Sequence, residues 1–265
     1  MAKYDVVITG GAVMGSATAF FLANNPDFRG TVLVIEKDPT YAKASTSLSA
    51  GGIRPQFSNS ENIELSLFGA SFIKNINAYL QVDDEPVNVD FVENGYLFLA
   101  TKKGLPILEK NHDTQIAAGA KVKILDQAGL AEKFNWLNTD DIAAGSFSVQ
   151  DAGWFDPHGL TMAFKNKARS LGVTYLKDQV VGVQRSGSKI NSVRTQTGDI
   201  ISGGVFVNAA GASASRVAEM AGITDLPVHS RKRFIFLFKC LTRLENCPLV
   251  VDPTGAYFRP EGQHY

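Results

Sequence analysis

The sequence predicts a doubly wound α/β fold interrupted by a second, sheet-containing region. Three observations carry this. Strand-like and helical segments alternate from the start: Val6-Val7-Ile8, a helical stretch from about Ala12 to Asn24, then Val32-Leu33-Val34-Ile35. The first apolar run enters a glycine turn, Gly10-Gly11-Ala12-Val13-Met14-Gly15, and the second ends in Glu36. Strand patterns gather again near residue 85 and after about 226, on either side of segments that continue the opening unit.

Each part of the opening unit has a physical job. Gly10 permits a tight strand-to-helix turn, and Gly15 lets the helix pack close to the strand. The helix start presents free N–H groups and a partial positive charge to a pyrophosphate. Glu36, about 20 residues beyond the turn, can accept hydrogen bonds from a ribose diol. The unit departs from G-x-G-x-x-G at the middle position, which is Ala12. One methyl group there narrows the approach to phosphate without forbidding it. Strand, turn, helix, strand and terminal acid in register predict a Rossmann-like dinucleotide site. Glu36 suits an unmodified ribose, so it fits NAD or FAD and argues against a 2′-phosphate. Spacing alone does not separate the two.

The 265 residues suffice for one large or two medium domains. The 26 basic residues match the 26 acidic ones, with no basic stripe, so no nucleic-acid partner is expected. Cys240 and Cys247 have neither C-x-x-C nor metal-ligand spacing. A reducing, cytoplasmic setting is the expectation, or a mitochondrial one if a leader precedes this sequence. No apolar run reaches membrane-spanning length. G-x-S-x-G, H-E-x-x-H and paired-carboxylate signatures are all missing, so hydrolase chemistry has no support.

The remaining elements follow in order. Ser58-x-x-Glu61 reads as a capping box before a helix running to about Leu80, with Ile63, Leu67, Ala70, Ile73, Asn77 and Leu80 near one stripe. Val87 to Val92 and Tyr96 to Ala100, joined by Glu93-Asn94-Gly95, read as a hairpin. Helical patches follow at Leu105 to Ala118 and Gln127 to Phe134. Asp156-Pro157 opens another helix, with Leu160, Phe164, Ala168 and Leu171 on its apolar face and Gly172 at its end. Strands are expected at Val173 to Leu176, Val180 to Gln184, Ile190 to Gln196 and Val205 to Asn208. The β-rich end holds Arg233 to Lys239, Leu249 to Val251 and Tyr257 to Arg259.

Five segments carry a family resemblance: SLSAGGIRPQFSNSENIELSLFGASFIKNINAYL (47–80), QDAGWFDPHGL (150–160), VFVNAAGA (205–212), LPVHSRKRFIFLF (226–238) and DPTGAYFRPEG (252–262). With them the chain resembles the D-amino-acid oxidase-like family of flavoproteins, which includes glycine and sarcosine oxidases. The resemblance spans almost the whole chain in consistent order. It implies an FAD-binding domain at 1–84 and 146–225, and a substrate domain at 85–145 and 226–265. It also implies that the sequence stops within the substrate domain, with flavin and catalytic residues still to come.

The resemblance assigns roles to otherwise bland residues. Gly10, Gly11, Ala12, Val13, Met14, Gly15, Glu36 and Lys37 would hold the adenosine diphosphate. Ser45, Ser49, Ala50, Gly51, Gly52 and Ile53 lie in a small-residue segment that would lay backbone N–H groups along the pyrophosphate and reach the flavin ring. Val180 matches a strand position whose backbone contacts adenine in this family. Asn208, Ala209, Ala210 and Gly211 match a second flavin segment, though Ala212-Ser213 stands where relatives often carry an aromatic residue. Residues 1–111 contain no histidine, so the flavin is expected to be non-covalent as far as this chain goes.

The activity implied is oxidation of the C–N bond of an amino acid or N-methyl amino acid, by hydride transfer to flavin N5. An electron acceptor (oxygen, a quinone or an electron-transfer protein) would then take the electrons. Arg54 is the expected carboxylate clamp, because its planar guanidinium binds a carboxylate through two parallel bonds. Tyr257 and Arg259 alternate around Phe258, so they share a strand face that would line the substrate site. The basic cluster Arg231-Lys232-Arg233 reads as a solvated strand entrance. One branch of the family implies a different role: a flavin-bound assembly scaffold for respiratory complex I, with that complex as partner and little turnover.

Overall fold

The computed structural model describes residues 2–265. In chain order the first elements are β1 (Ala2–Thr9), α1 (Val13–Asn24), β2 (Val32–Glu36), β3 (Gly52–Ile53), α2 (Ser60–Lys74), α3 (Ile76–Leu80), β4 (Tyr96–Ala100) and α4 (Leu105–Ala117). Next come β5 (Val122–Asp126), α5 (Gln127–Lys133), β6 (Ala144–Ser148), β7 (Gly153–Trp154), α6 (Pro157–Ser170), β8 (Thr174–Lys177) and β9 (Val180–Ser186). The last are β10 (Lys189–Thr195), β11 (Ile200–Asn208), α7 (Ala214–Met220), β12 (Leu249–Val251) and β13 (Tyr257–Phe258). They group into two compact units. One holds the chain through Ser49, Asn77–Val89 and Asp156–Phe234; the other holds Ala50–Ile76, Asp90–Phe155 and Ile235–Tyr265.

The first unit is the doubly wound part. Its six-stranded sheet has the order β8-β2-β1-β11-β10-β9. The strands β8, β2, β1 and β11 run parallel, and β10 and β9 add an antiparallel edge. Parallel strands covered on both faces read as continuous apolar runs, and Val32 to Ile35 are accordingly all buried. Val7, Leu33, Ile35, Val180, Val193 and Ile201 form one core cluster. The α1 and α6 helices pack through Phe20 and Phe164, whose ring centroids lie 5.6 Å apart. Asp156 caps α6 by accepting the His158 N–H at 2.9 Å, Pro157 occupies the first turn, and Gly172 leaves the helix with φ +94°. Leu160, Phe164 and Ala168 are buried as expected, whereas Leu171 lies past the helix end and is 38% exposed.

The second unit is built on a five-stranded sheet, β13-β12-β4-β6-β5, and a two-stranded ribbon, β3-β7. Its core gathers Leu97, Leu99, Leu130, Phe134, Ile142, Phe147, Cys247 and Val250. Cys247 is buried there, and that burial pushes its thiol pKa up to about 12; Cys240 is exposed and both are free.

Several expectations are corrected. Val87 to Val92 and Tyr96 to Ala100 form no hairpin. Val92 exchanges both backbone bonds with Trp154, while β4 pairs with β6 and β12. Gly95 has φ +85°, and a Cβ there would sit 2.4 Å from the Ser148 carbonyl oxygen. The glycine serves a close backbone approach, not a two-strand turn. The capping box at Ser58 does not form. The helix begins at Ser60 after Asn59, and Asn59 instead bonds Glu61 at 3.2 Å. That helix also breaks at Asn75, whose side chain bonds back to the Ser71 carbonyl, so Asn77 falls on a separate short helix and is exposed. Arg233 to Lys239 contains no strand; Phe238 makes a two-way backbone exchange with Tyr265.

Among the described residues, no helix is long and apolar enough to cross a membrane, and no cluster of side chains has the makeup of a metal site.

Candidate functional site

The first unit builds the glycine turn as a close-packed joint. Gly10 has φ +96° and donates its N–H to the Ile35 carbonyl at 2.9 Å. A Cβ at Gly10 would lie 2.4 Å from the Ala209 carbonyl oxygen, and one at Gly15 would lie 1.8 Å from the Gly10 carbonyl oxygen. Both positions therefore require glycine. The same contacts show that the turn and the Asn208–Gly211 segment meet directly. Ala209 donates to Thr9 O at 2.9 Å, and Asn208 ties the segment to α7 through Ala214 O at 2.8 Å.

Ala12 stands at the helix N-cap with extended backbone, and its carbonyl accepts the Ser16 N–H at 2.9 Å. The methyl group is thus accommodated. Val13, Met14 and Gly15 follow in the first turn, where N–H groups lack intrahelical acceptors. Met14 is 70% exposed.

Glu36 does more than the sequence suggested. One carboxylate oxygen accepts the Gly11 N–H at 2.7 Å, and the other accepts the Asp38 N–H at 2.8 Å. It therefore fastens the glycine turn to the end of β2. A carboxylate offers about four lone-pair directions, so it can still receive a ribose hydroxyl. Lys37 is exposed beside it.

Beneath the turn lies a polar cluster that sequence reasoning missed. Tyr175 donates to Ser16 Oγ at 3.0 Å, and Ser16 donates to the Gly11 carbonyl at 2.6 Å. Tyr41 is buried with its hydroxyl unpartnered, and burial raises its phenol pKa. The Lys165 ammonium sits 4.9 Å from the Tyr41 ring and 5.9 Å from the Tyr175 ring, donating to Pro39 O at 3.3 Å. Burial, aided by the Arg169 charge, lowers its pKa. These residues sit at unrelated positions along the chain, so no spacing announces them.

The small-residue segment is divided between the units. Ser45–Ser49 belongs to the first, where Ser49 Oγ donates to Thr46 O at 2.7 Å and Ser47 Oγ lies 3.2 Å from His158 Nδ1. Val180 opens β9 with its side chain in the core.

Ala50–Ile53 belongs to the second unit. Gly51 has φ +61° and its carbonyl accepts the Phe155 N–H at 3.0 Å. Gly52 pairs with Trp154, and Ile53 with Gly153. A Cβ on Gly52 would fall 1.9 Å from the Tyr96 hydroxyl, so a larger residue here would have to displace the Tyr96 ring.

Arg54 follows directly. Its guanidinium carbon lies 4.8 Å from the Phe57 ring centre, 5.1 Å from Phe98 and 5.4 Å from Tyr96. Its Nε is buried without a hydrogen-bond partner, and it forms no ion pair among the described residues. The Tyr96 phenol has its pKa raised by burial, partly offset by the Arg54 charge. Two residues on, Gln56 is buried with its amide nitrogen on the Ser146 carbonyl at 2.8 Å. Tyr96 and Phe98 were absent from the expected site. Their i, i+2 spacing on one strand face was the signal available.

Tyr257 and Arg259 are placed less alike than the strand pattern implied. Tyr257 is 51% exposed on β13. Arg259 lies just past β13, with Nε on the Ala50 carbonyl at 3.0 Å, Nη1 on the Pro260 carbonyl at 2.8 Å and on Glu261, and its guanidinium over the Trp154 ring.

Residues 5–265 match the family described as FAD dependent oxidoreductase. The chain belongs to that family. FAD is the family's cofactor, and the turn, the helix start and Glu36 fit its adenosine diphosphate half. A frog protein, FAD-dependent oxidoreductase domain-containing protein 1 of Xenopus laevis, is 40% identical over 292 residues, covering 98% of this chain and 58% of its own length. The β subunit of sarcosine oxidase from an Arthrobacter species is 29% identical over 240 residues, covering 86% of this chain and 56% of its own length. The crystal structure of L-proline dehydrogenase from P. horikoshii superposes with a TM-score of 0.81 at 26% identity, covering 99% of this chain and 68% of that one. The chain thus spans less than two thirds of the curated relatives it resembles.

Proposed function

We propose that the protein is an FAD-dependent oxidoreductase acting on the C–N bond of an amino acid or N-methyl amino acid. The observation that carries this is Arg54: a guanidinium held among three aromatic rings, without an acidic partner, directly after the Gly51-Gly52-Ile53 segment. A cation set among aromatic rings, with its Nε–H unpartnered, keeps that donor for an anion. The relatives support a small carboxylate-bearing amine as that anion.

When bound, FAD supplies the two-electron acceptor for hydride from the substrate carbon. The chain's own residues bind and orient. The first turn of α1 and Glu36 hold the adenosine diphosphate. Ala50–Ile53 offers backbone N–H groups from a segment that two strand pairings make rigid. Arg54 fixes the carboxylate, and with it the direction of the reacting C–H bond. Phe57, Phe98 and Tyr96 keep water from the clamp, which strengthens the ion pair.

The test is anaerobic reduction of the flavin in the full-length protein by a panel of amino and N-methyl amino acids. Arg54→Ala should retain yellow flavin but slow reduction by about 30-fold to several thousand-fold, the equivalent of roughly 2–5 kcal/mol for a desolvated charge pair. Arg54→Lys should recover part of the rate, because a point charge cannot reproduce the planar fork. If no amine reduces the wild-type flavin, the scaffold role replaces the enzymatic one.

A further inference from the structure

Arg259 was expected to face substrate, yet three of its N–H donors, on Nε and Nη1, are already taken by this chain. Its guanidinium has five N–H groups. The Nε group holds the Ala50 carbonyl at 3.0 Å, and Nη1 holds the Pro260 carbonyl and the Glu261 carboxylate. The Glu261 pair neutralises its charge, in contrast to Arg54, and its side chain is only 16% exposed.

What it grips is specific. Ala50 opens the Ala50–Ile53 segment. The ring beneath the guanidinium is Trp154, the register partner of Gly52. Gly51, between the two, needs a left-handed backbone with φ +61°. The segment is therefore pinned at three successive residues: Ala50 by Arg259, Gly51 by the Phe155 N–H and Gly52 by Trp154. Of these three anchors, the one at Ala50 comes from a side chain, and it is carried in by the chain after β13.

We propose that Arg259 is a positioning residue: it clamps the Ala50 carbonyl against the Trp154 ring and so sets the backbone that Ala50–Ile53 presents to the flavin. It does not bind the substrate carboxylate. This rests on the reading of Ala50–Ile53 as a flavin-contacting segment.

The experiment uses full-length protein and two readouts that need no turnover: the FAD dissociation constant with the shape of the visible flavin band, and the spectral titration of that band with acetate as a carboxylate probe. Arg259→Ala should weaken FAD by about 10-fold to 100-fold, the range expected for a lost charge-assisted hydrogen bond, and should alter the band. Acetate affinity, measured at saturating FAD, should stay within about 3-fold, an effect near the error of adding distant contacts. Arg259→Lys keeps one donor for Ala50 and should recover part of the FAD affinity, which a variant that had lost its fold could not do. Arg54→Ala should show the opposite pattern, with FAD retained and acetate lost. Unchanged FAD affinity and band shape in Arg259→Ala, or a selective loss of acetate binding, would overturn the proposal while leaving the flavin reading intact. A wild-type protein unable to bind FAD would remove both.

Discussion

Replacing Glu36 should damage the protein twice, once without cofactor and once with it. Its two carboxylate oxygens each receive a backbone N–H, from Gly11 at 2.7 Å and from Asp38 at 2.8 Å. Hydrogen bonds to a charged acceptor contribute about 1.5–3 kcal/mol each. Glu36 is half-buried, so water replaces part of that when the side chain is cut back. The expected loss in Glu36→Ala is about 2–4 kcal/mol of apo stability. A further 10-fold or more in FAD affinity, roughly 1.4 kcal/mol, should go with the ribose contact. Glu36→Gln is the sharper probe. For the ribose contact it should be milder than Ala, because an amide oxygen still accepts. In the protein without cofactor, however, the amide nitrogen would face a second N–H donor. Gln should therefore fall close to Ala in apo stability. Urea denaturation of the apo protein and FAD titration by fluorescence quenching measure the two effects separately. Wild-type stability and wild-type FAD affinity in Glu36→Ala would refute both assignments; a stable Glu36→Gln would refute the two-donor account.

Other outcomes follow from the same geometry. Gly15→Ala should abolish FAD binding in the full-length protein, because its Cβ would stand 1.8 Å from the Gly10 carbonyl oxygen, and Ala12→Gly should bind FAD at least as tightly as wild type. Gly52→Ala should disturb the Tyr96 contact, visible as altered tyrosine and flavin fluorescence, whereas the same change combined with Tyr96→Phe should recover part of the loss by freeing the space the hydroxyl fills. Asp178 accepts the Thr197 hydroxyl, which holds its carboxyl pKa below the usual 3.8. The folded state therefore gains stability from this group above pH 3.8 and loses it as pH falls through the lowered value. Asp178→Asn should flatten the acid limb of a stability-against-pH curve, and an unchanged limb would contradict the assignment.

The legible parts of the sequence were those in which chemistry is local. Val6 to Ile8, the glycine turn and Val32 to Glu36 carry their structure in adjacent residues, and the turn formed with one departure, Ala12, absorbed at the N-cap. Asp156-Pro157 likewise capped α6. The failures came where the deciding partner was far along the chain. Ala144 to Ser148 is a strand buried at every position, and its small residues show neither alternation nor β-branching. Asn94-Gly95 has hairpin chemistry, but its glycine exists because the Ser148 backbone comes within reach. Ser16, Tyr41, Tyr175 and Lys165 form one cluster from four separate segments. Arg54 was visible as a cation after a glycine pair; the three rings that isolate it were not. Arg259 was visible as a charged residue on a strand face, but its capture by Ala50 and Glu261 lies beyond any alternation rule.

The central claim is that the Gly10–Gly15 turn, Glu36 and the Asn208–Gly211 segment form an FAD cradle. Its most direct test is the flavin content of the full-length protein, purified without added cofactor and analysed by absorbance and by chromatography of the released nucleotide. The account predicts stoichiometric FAD, released on denaturation. A colourless protein that takes up NAD tightly, and FAD not at all, would contradict it.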